Sequence, residues 1–98
     1  MNLVFKALAD PGRRKILHLL RARNMTAGEI AEHFQLAKPT LSRHFAVLRE
    51  ADLIHGDKNG TSITYSLNVS VLEEALLGLM NAMGFDAKEN GNDSTTQT

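Results

Sequence analysis

The sequence predicts a mainly α-helical domain with one small β-hairpin, in the order of a winged helix-turn-helix. Three observations indicate this fold class. Two helix signals are joined by a short turn at residues 35–37, a hairpin signal follows them, and a long apolar helix signal follows the hairpin. Two helices are expected before the helix-turn-helix pair, and one is expected after the hairpin. We therefore expect five helices and a two-stranded wing over residues 1–85. Residues 86–98 have almost nothing to bury and are expected to form a disordered tail.

The first two helices are separated by Asp10 and Pro11. An apolar helix is expected over residues 2–9, and the next helix should start with Asp10 as its cap and Pro11 in its first turn, ending near Ala22. Arg13 falls on the core side of this second helix and is expected to anchor the structure through Asp10. The opposite side carries a stripe of basic and titratable residues: Arg14, His18 and Arg21. We interpret this stripe as a solvated face rather than a track for phosphates.

The third helix is predicted from the spacing of Thr26 and Glu29. A hydroxyl and a carboxylate three residues apart form a capping box, in which each side chain satisfies a free backbone amide. We therefore expect a helix to start at Thr26, after a connection formed by Asn24 and Met25. Thr26 is also included among the predicted DNA contacts.

The fourth helix, from Lys38 to about Asp52, should have one apolar and one polar side. Its core residues recur at i, i+4 and i+7: Leu41, Phe45 and Leu48. It has no acidic residue before Glu50, which is typical of a helix that reads DNA. The outer residues predicted to contact DNA are Lys38, Pro39, Thr40, Ser42 and Arg43. His44 lies at the edge of the core arc and is expected to be a half-buried packing residue.

These outer residue types suit different parts of a DNA duplex. Arg43 has the planar fork that pairs with guanine. Ser42 and Thr40 can bond base edges or phosphate, whereas Lys38, beside the start of the helix, suits phosphate. The alternative for each of them is a solvated surface residue.

The hairpin signal lies around Asn59 and Gly60. Residues 53–57 and 63–67 are strand-like, and the Asn-Gly dipeptide between them favours a tight primed turn in which both residues have positive φ. This hairpin is the predicted wing. Its tip is expected to contact a minor groove or phosphates through Lys58, Asn59, Gly60 and Thr61. A solvated hairpin end is the alternative interpretation.

The apolar face of the last helix is wider than packing against one small core requires. Ser70 and Glu73 repeat the capping-box spacing, so the helix is expected to run from there to about Gly84. Its apolar residues cover about half of the helical wheel, which indicates a second packing partner, most simply the same helix of another subunit. The predicted homodimer interface comprises Leu3, Val4, Leu72, Ala75, Leu76, Leu79, Met80 and Met83.

Composition excludes several classes of protein. The chain has no cysteine, which excludes disulfides and thiolate metal sites. No apolar run approaches the roughly 20 residues that span a bilayer, so we expect a cytoplasmic protein without membrane insertion. The 11 basic and 11 acidic residues cancel, but residues 1–67 carry 10 basic and 6 acidic residues while residues 68–98 carry 1 and 5. The positive surplus coincides with the predicted DNA-binding part.

Four segments carry a resemblance to a known family. They are V-F-K-A-L-A-D-P-G-R-R-K-I-L-H-L-L, M-T-A-G-E-I-A-E-H-F, K-P-T-L-S-R-H-F-A-V-L-R-E-A-D-L-I, and the glycine-tipped wing that ends in Y-S-L. In this order the chain resembles the ArsR family of dimeric winged-helix repressors over nearly all of residues 2–84, and within it the cysteine-free SdpR-like subgroup. The resemblance implies an autoregulatory, metal-independent repressor that binds an inverted repeat in double-stranded DNA. It places the fourth helix in the major groove, the wing on the flanking groove, and the first and last helices in the dimer interface.

Some residues depart from the family pattern. The chain has Ala37 where the family commonly has serine at the cap of the DNA-reading helix, Gly12 where threonine is common, and less basic charge at the wing tip. These departures favour a lower affinity for DNA. The thin charge of the wing and the neutral total charge favour the alternative class, a winged-helix protein-interaction module with weak or no DNA binding.

Neither a metal site nor a catalytic site is predicted. The metal sensors of the family use cysteine pairs or Asp/His ligands on the last helix, and this chain has no histidine after His55. Its histidines lie on four different elements without the spacing of a ligand set: His18, His33, His44 and His55. Ser42 and His44 have no acid to orient the imidazole, so they do not form a nucleophile and base. We predict no cofactor, and control by a regulatory protein or a small-molecule effector stays open.

Overall fold

The computed structural model describes residues 2–85, which form five helices and a three-stranded antiparallel sheet. The predicted tail, residues 86–98, lies outside the described residues. In chain order the elements are α1 (Asn2–Leu8), α2 (Pro11–Ala22), β1 (Met25–Thr26), α3 (Ala27–Ala31), α4 (Lys38–Glu50), β2 (Ile54–Asn59), β3 (Ser62–Leu67) and α5 (Val69–Ala82). The predicted winged helix-turn-helix is confirmed. Within residues 2–85, no helix combines the length and the apolar character that crossing a bilayer requires.

The wing belongs to a sheet of three strands in the order β1-β3-β2, rather than forming a separate hairpin. Met25 pairs with Tyr65 and Thr26 pairs with Thr64, so the chain just before α3 is attached to the wing. The prediction that Met25 lies in a simple connection was wrong, because a strand of two residues is too short to show an alternating pattern. Burial of the Met25 side chain stabilises this third strand.

The turn of the wing is shifted by one residue from the predicted position. Asn59 still pairs with Ser62, so the two central residues are Gly60 and Thr61. Gly60 has a φ of 66°, and neither Asn59 nor Thr61 is among the residues with positive φ. A positive φ at the first central residue alone is the pattern of a type II′ turn. Both Asn-Gly and Gly-Thr fit tight hairpin turns, so local preference did not decide between the two registers.

Two of the three predicted helix caps are confirmed. The Asp10 carboxylate accepts a hydrogen bond from the Arg13 backbone N–H at 3.1 Å and caps α2. In the capping box of α3, the Thr26 hydroxyl accepts from the Glu29 N–H at 3.1 Å, and the Glu29 carboxylate accepts from the Thr26 N–H at 2.8 Å. These bonds fix the starts of two consecutive helices.

The capping box predicted at Ser70 and Glu73 was wrong. The α5 helix begins at Val69, and the residue before it, Asn68, makes no side-chain cap bond. The Asn68 N–H instead donates to the Leu53 carbonyl at 2.9 Å. Because this bond continues the contact between the ends of the two wing strands, the chain enters α5 at once, and Ser70 lies inside the first turn.

In the core, α4 packs against the sheet and against α1 and α2. Leu41, Phe45 and Leu48 are 5%, 6% and 0% exposed, which confirms that they face the interior. The Phe45 ring stacks on Tyr65 of β3 with centroids 4.6 Å apart, so α4 is packed directly on the wing sheet. The other buried apolar residues of the core are Val4, Ala7, Ile16, Leu17, Leu20, Met25, Ile30, Ala51, Leu53, Ile54 and Ala75.

Candidate nucleic-acid interface

Helix α4 presents a polar face to solvent on the side opposite its core residues. The predicted contact residues on this face are all exposed: Lys38, Pro39, Thr40, Ser42 and Arg43. They occupy the first two turns, where the three core side chains hold the helix against the sheet and the other helices. This arrangement leaves the basic, polar N-terminal half of α4 exposed to solvent.

The first turn of α4 lacks a side-chain cap. Ala37 is the cap residue and its methyl group accepts no hydrogen bond. The carbonyl of Ala37 accepts from the Leu41 N–H at 3.1 Å, but the free amides of the first turn have no side-chain partner at the cap. Free amides and the positive end of the helix dipole attract anions, and Lys38 adds a positive charge at the same place.

The wing tip is a second exposed polar segment. The side chains or backbone of Lys58, Asn59, Gly60 and Thr61 are all exposed. Ser62, which the sequence reasoning omitted, is also exposed and pairs with Asn59 at the base of the turn. The signal that identifies Ser62 is the strand register, which the dipeptide pattern alone did not supply. The tip therefore has one cationic side chain and several hydrogen-bonding groups.

Thr26 lies in a different environment from the other predicted contacts. It is half-buried, it pairs with Thr64 in the sheet, and both its hydroxyl and its N–H serve the capping box. The Thr26 N–H holds the pKa of Glu29 below its ordinary value, and Arg23, whose Nη1 lies 3.6 Å from Glu29 Oε1, acts in the same direction. Thr26 is thus a structural cap at the start of α3, whereas the predicted contacts on α4 and at the wing tip are exposed.

A polar network joins α4 to the first two helices through His44. Arg13 Nε donates to the Ala7 carbonyl at 2.8 Å, Nη2 donates to the Lys6 carbonyl at 3.1 Å, and Nη1 lies 3.2 Å from His44 Nδ1. His44 Nε2 lies 3.6 Å from Asp10 Oδ2, with the His44 side chain 12% exposed. The prediction that His44 is a half-buried packing residue is confirmed. Arg13 is an anchor, as expected, but it meets Asp10 through its backbone N–H while its guanidinium binds α1 carbonyls and His44.

The geometry of this network selects one form of the imidazole. Arg13 is always a donor, so His44 Nδ1 must accept, which leaves the proton of a neutral ring on Nε2, facing the Asp10 carboxylate. Partial burial raises the pKa of Asp10, but the Arg13 N–H, the nearby His44, the Gly12 N–H and the Arg13 charge outweigh it, so that pKa lies below its ordinary value. Asp10 therefore stays ionised at neutral pH and serves both the α2 cap and His44.

Gly12 makes room for this contact. A Cβ atom at Gly12 would lie 2.9 Å from Asp10 Oδ2 and 3.2 Å from His44 Nε2, closer than side chains normally approach. In the sequence, Gly12 is recognisable only as a departure from a family pattern, without a connection to His44. The connection depends on a contact between residues that are 32 positions apart in the chain, and no local pattern reports such a contact.

The predicted interface residues fall into two groups. Leu3, Leu76, Leu79 and Met83 are exposed, by 43%, 43%, 38% and 57%, and Leu72 and Met80 are partly exposed. Val4 and Ala75 are only 6% and 4% exposed, because they belong to the core of this chain. The exposed group, with the neighbouring Leu77 and Phe85, leaves much of α5 without a partner among residues 2–85.

Comparison with known proteins identifies the family. Residues 10–55, which run from the cap of α2 into β2, match the family described as "Bacterial regulatory protein, arsR family". The chain is 49% identical over 81 residues to the transcriptional repressor SdpR of Bacillus subtilis strain 168, covering 83% of this chain and 90% of SdpR. The chain belongs to the ArsR family. It is therefore a DNA-binding transcriptional regulator with the winged helix-turn-helix of that family.

Other ArsR-family proteins show the same relationship. The arsenical resistance operon repressor of Staphylococcus xylosus is 38% identical over 73 residues, which cover 74% of this chain and 70% of that protein. The crystal structure of the ArsR family transcriptional regulator RHA00566 superposes with a TM-score of 0.78 at 29% identity, covering 85% of this chain and 91% of the other. The similarity extends beyond the matched segment to most of the fold.

Proposed function

We propose that this ArsR-family protein is a repressor that binds an inverted-repeat operator as a homodimer. The observation that carries the proposal is the exposed polar face of α4, whose core face is fixed by Leu41, Phe45 and Leu48. A helix held in this way enters the major groove with its N-terminal residues nearest the bases. The repressor name of SdpR, a relative with 49% identity, supports repression as the direction of control.

Different residues are proposed to read bases and to hold the backbone. Arg43 is assigned to a guanine, because its fork matches the two acceptors of that base in the major groove. Thr40 and Ser42 are assigned to base edges or phosphates. Lys38, at the uncapped start of α4, and Lys58, at the wing tip, are assigned to phosphates on either side of the groove.

The proposed dimer forms through α5 and α1. The exposed residues Leu76, Leu79 and Met83 form an apolar strip on α5, and a small domain with so much exposed apolar surface gains stability from a second copy. A twofold dimer also presents two copies of α4, and these require an operator whose half-sites are related by the same symmetry.

We also propose that this repressor is regulated without a metal ion. The chain has no cysteine, and within residues 2–85 no three His, Asp or Glu side chains come together in a way that would hold a metal ion. The ring of His44, which lies nearest a carboxylate, already faces Arg13 at its other nitrogen. We propose regulation by the concentration of the repressor itself, by a partner protein or by a small molecule.

The experiment that tests this function starts from a selection of bound fragments from the source genome. Fluorescence anisotropy with the selected operator should give an association constant whose logarithm falls linearly with the logarithm of the salt concentration. Added zinc, cadmium or arsenite, and added chelator, should leave the affinity unchanged within a few fold. A shift of about tenfold, equivalent to about 1.4 kcal/mol of coupling, would contradict metal independence.

The same titration separates the repressor from the alternative class. A scrambled duplex of equal length and composition is the control for sequence preference. If no duplex binds at low salt, or if operator and scrambled duplex bind equally, operator recognition is wrong and the interaction-module alternative is favoured.

A further inference from the structure

A groove lies between α2 and the junction of β3 with α5, on a side of the molecule that the proposed function does not use. Its volume is about 410 Å³, within the range of small-molecule sites. The residues around it are of two kinds. The apolar ones are Leu17, Leu67, Val69 and Leu72, and the basic or titratable ones are Arg14, His18 and Arg21.

The basic or titratable residues are the stripe on α2 whose sequence pattern indicated a solvated face. They recur at i, i+4 and i+7, so they follow one side of the helix with Leu17 between them. Arg14 Nη1 donates to the Leu8 carbonyl at 2.7 Å, which fixes that guanidinium near the end of α1, and Arg21 is exposed one turn beyond His18. No acidic residue lines the groove, so its rim carries two permanent positive charges.

The floor is apolar and open to solvent. Val69, in the first turn of α5, is 46% exposed, and Leu67 and Leu72 are partly exposed beside it. When an apolar group covers the apolar surface of this groove, the burial is favourable by roughly 25 cal/mol per Å². An occupant that fits both features needs an apolar body and an anionic end.

We propose that this groove binds a medium-chain carboxylate, with the carboxylate at Arg21 and the alkyl chain over the apolar floor. At about 30 Å³ per non-hydrogen atom, the share that a water molecule takes in the liquid, the groove holds a carboxylate of up to about twelve carbons. Arginine pairs with a carboxylate in a bidentate geometry, which gives the charged end a defined place. The proposal concerns binding alone, so it stands or falls independently of operator recognition.

Charge distinguishes this occupant from two others. A DNA phosphate would use the two arginines but would leave the apolar floor uncovered. A second copy of the chain, packed about a twofold axis through the groove, would bring the arginines of both copies together, which is unfavourable. The exposed strip of Leu76, Leu79 and Met83 lies further along α5 and offers a second copy an apolar surface without this repulsion.

The test is a titration of the full chain with octanoate, followed by backbone amide shifts in a ¹⁵N-labelled sample. Octanoate should bind with a Kd of roughly 0.1 to 1 mM and shift amides of α2 and of the first turn of α5. 1-Octanol, which has the same chain without the charge, and acetate, which has the charge without the chain, should each bind at least about tenfold more weakly.

Two pairs of variants locate the site. Arg21→Gln should weaken octanoate binding about tenfold or more, whereas Arg23→Gln, on the same helical end but outside the groove, should not. Val69→Glu places a negative charge in the groove at a position where the helix dipole favours it, so the fold should persist while octanoate binding is lost. Ser70→Glu is the matched control, with the same charge on the next residue, which does not line the groove.

Three outcomes would overturn the proposal. They are equal binding of octanoate and 1-octanol, unchanged binding by Val69→Glu, and an absence of saturable shifts.

Discussion

The Arg13 guanidinium reaches both α1 and α4, with its Nη1 3.2 Å from His44 Nδ1. The same side chain donates to the carbonyls of Lys6 and Ala7, so α1 and the middle of α4 are joined through one cation. His44 directly follows Arg43, the residue assigned to base reading. The contact therefore fixes how α4 is rotated about its own axis beside Arg43. This rotation determines the direction in which the Arg43 side chain points.

We expect His44→Leu to weaken operator binding while the protein stays folded. Leucine fills much of the space but accepts no hydrogen bond, so Arg13 loses its partner on α4. The expected loss is about three- to tenfold in affinity, in keeping with a net value of about 1 kcal/mol for such a hydrogen bond. His44→Asn should recover most of the affinity, because its side-chain oxygen lies close to the position of Nδ1. Equal affinities for wild type and both variants would show that this contact does not orient α4.

Gly12→Ala tests the same network from the other side. Alanine favours helix over glycine by up to about 1 kcal/mol, so local preference alone predicts a more stable protein. Its Cβ would instead lie 2.9 Å from Asp10 Oδ2 and displace the carboxylate from His44. We expect no gain in the free energy of unfolding and a weaker operator complex, measured by denaturant unfolding and anisotropy. A stabilised variant with unchanged affinity would contradict this assignment.

The acid sensitivity of the fold should include a contribution from Glu29. The Thr26 N–H and Arg23 lower the pKa of Glu29 in the folded protein, so its carboxylate stabilises the fold above the unfolded value of about 4.3. This contribution is lost as the pH falls through the lower, folded pKa. Unfolding measured between about pH 6 and 3 should show a smaller loss of stability for Glu29→Gln than for wild type. Glu32→Gln, outside the capping box, is the control, and an identical pH profile for all three proteins would contradict the prediction.

A charge in the apolar strip of α5 should abolish the proposed dimer. Leu79 is 38% exposed and lies between Leu76 and Met83 on one side of the helix. We expect Leu79→Glu to sediment as a monomer and to lose operator binding, because burying an unpaired carboxylate in an apolar interface is costly. Leu77→Glu, which changes an exposed leucine outside this strip, should remain a dimer. A wild-type protein that is monomeric at micromolar concentration would contradict the proposed assembly.

Local patterns predicted most of the fold because its elements have local causes. The cap at Asp10, the capping box at Thr26 and the spacing of Leu41, Phe45 and Leu48 each act within a few residues. The errors occurred where distant partners decide. Met25 becomes a strand because Tyr65 lies beside it, and α5 starts at Val69 because of a bond to Leu53.

In the candidate site, too, features with local causes were predictable and features that depend on distant contacts were not. Helical spacing predicted that Lys38, Ser42 and Arg43 would face solvent on α4, because the core side of the helix was already determined. It did not predict that Gly12 leaves space for His44, since this relationship is visible only after α2 and α4 have packed together. The sequence likewise contained the stripe of Arg14, His18 and Arg21 but not the apolar floor beside it, which the junction of β3 and α5 provides.

The most direct test of operator reading compares Arg43→Ala with Lys38→Ala on the selected operator and on every single-base variant of one half-site. We expect Arg43→Ala to cost about 1 to 3 kcal/mol per half-site and to remove the preference at one symmetric pair of positions. Lys38→Ala should weaken binding to all duplexes alike and reduce the salt slope by about 0.9 per lost contact, or nearly twice that in a dimer. If Arg43→Ala keeps wild-type affinity and the wild-type preference at every position, α4 does not read the operator through this residue.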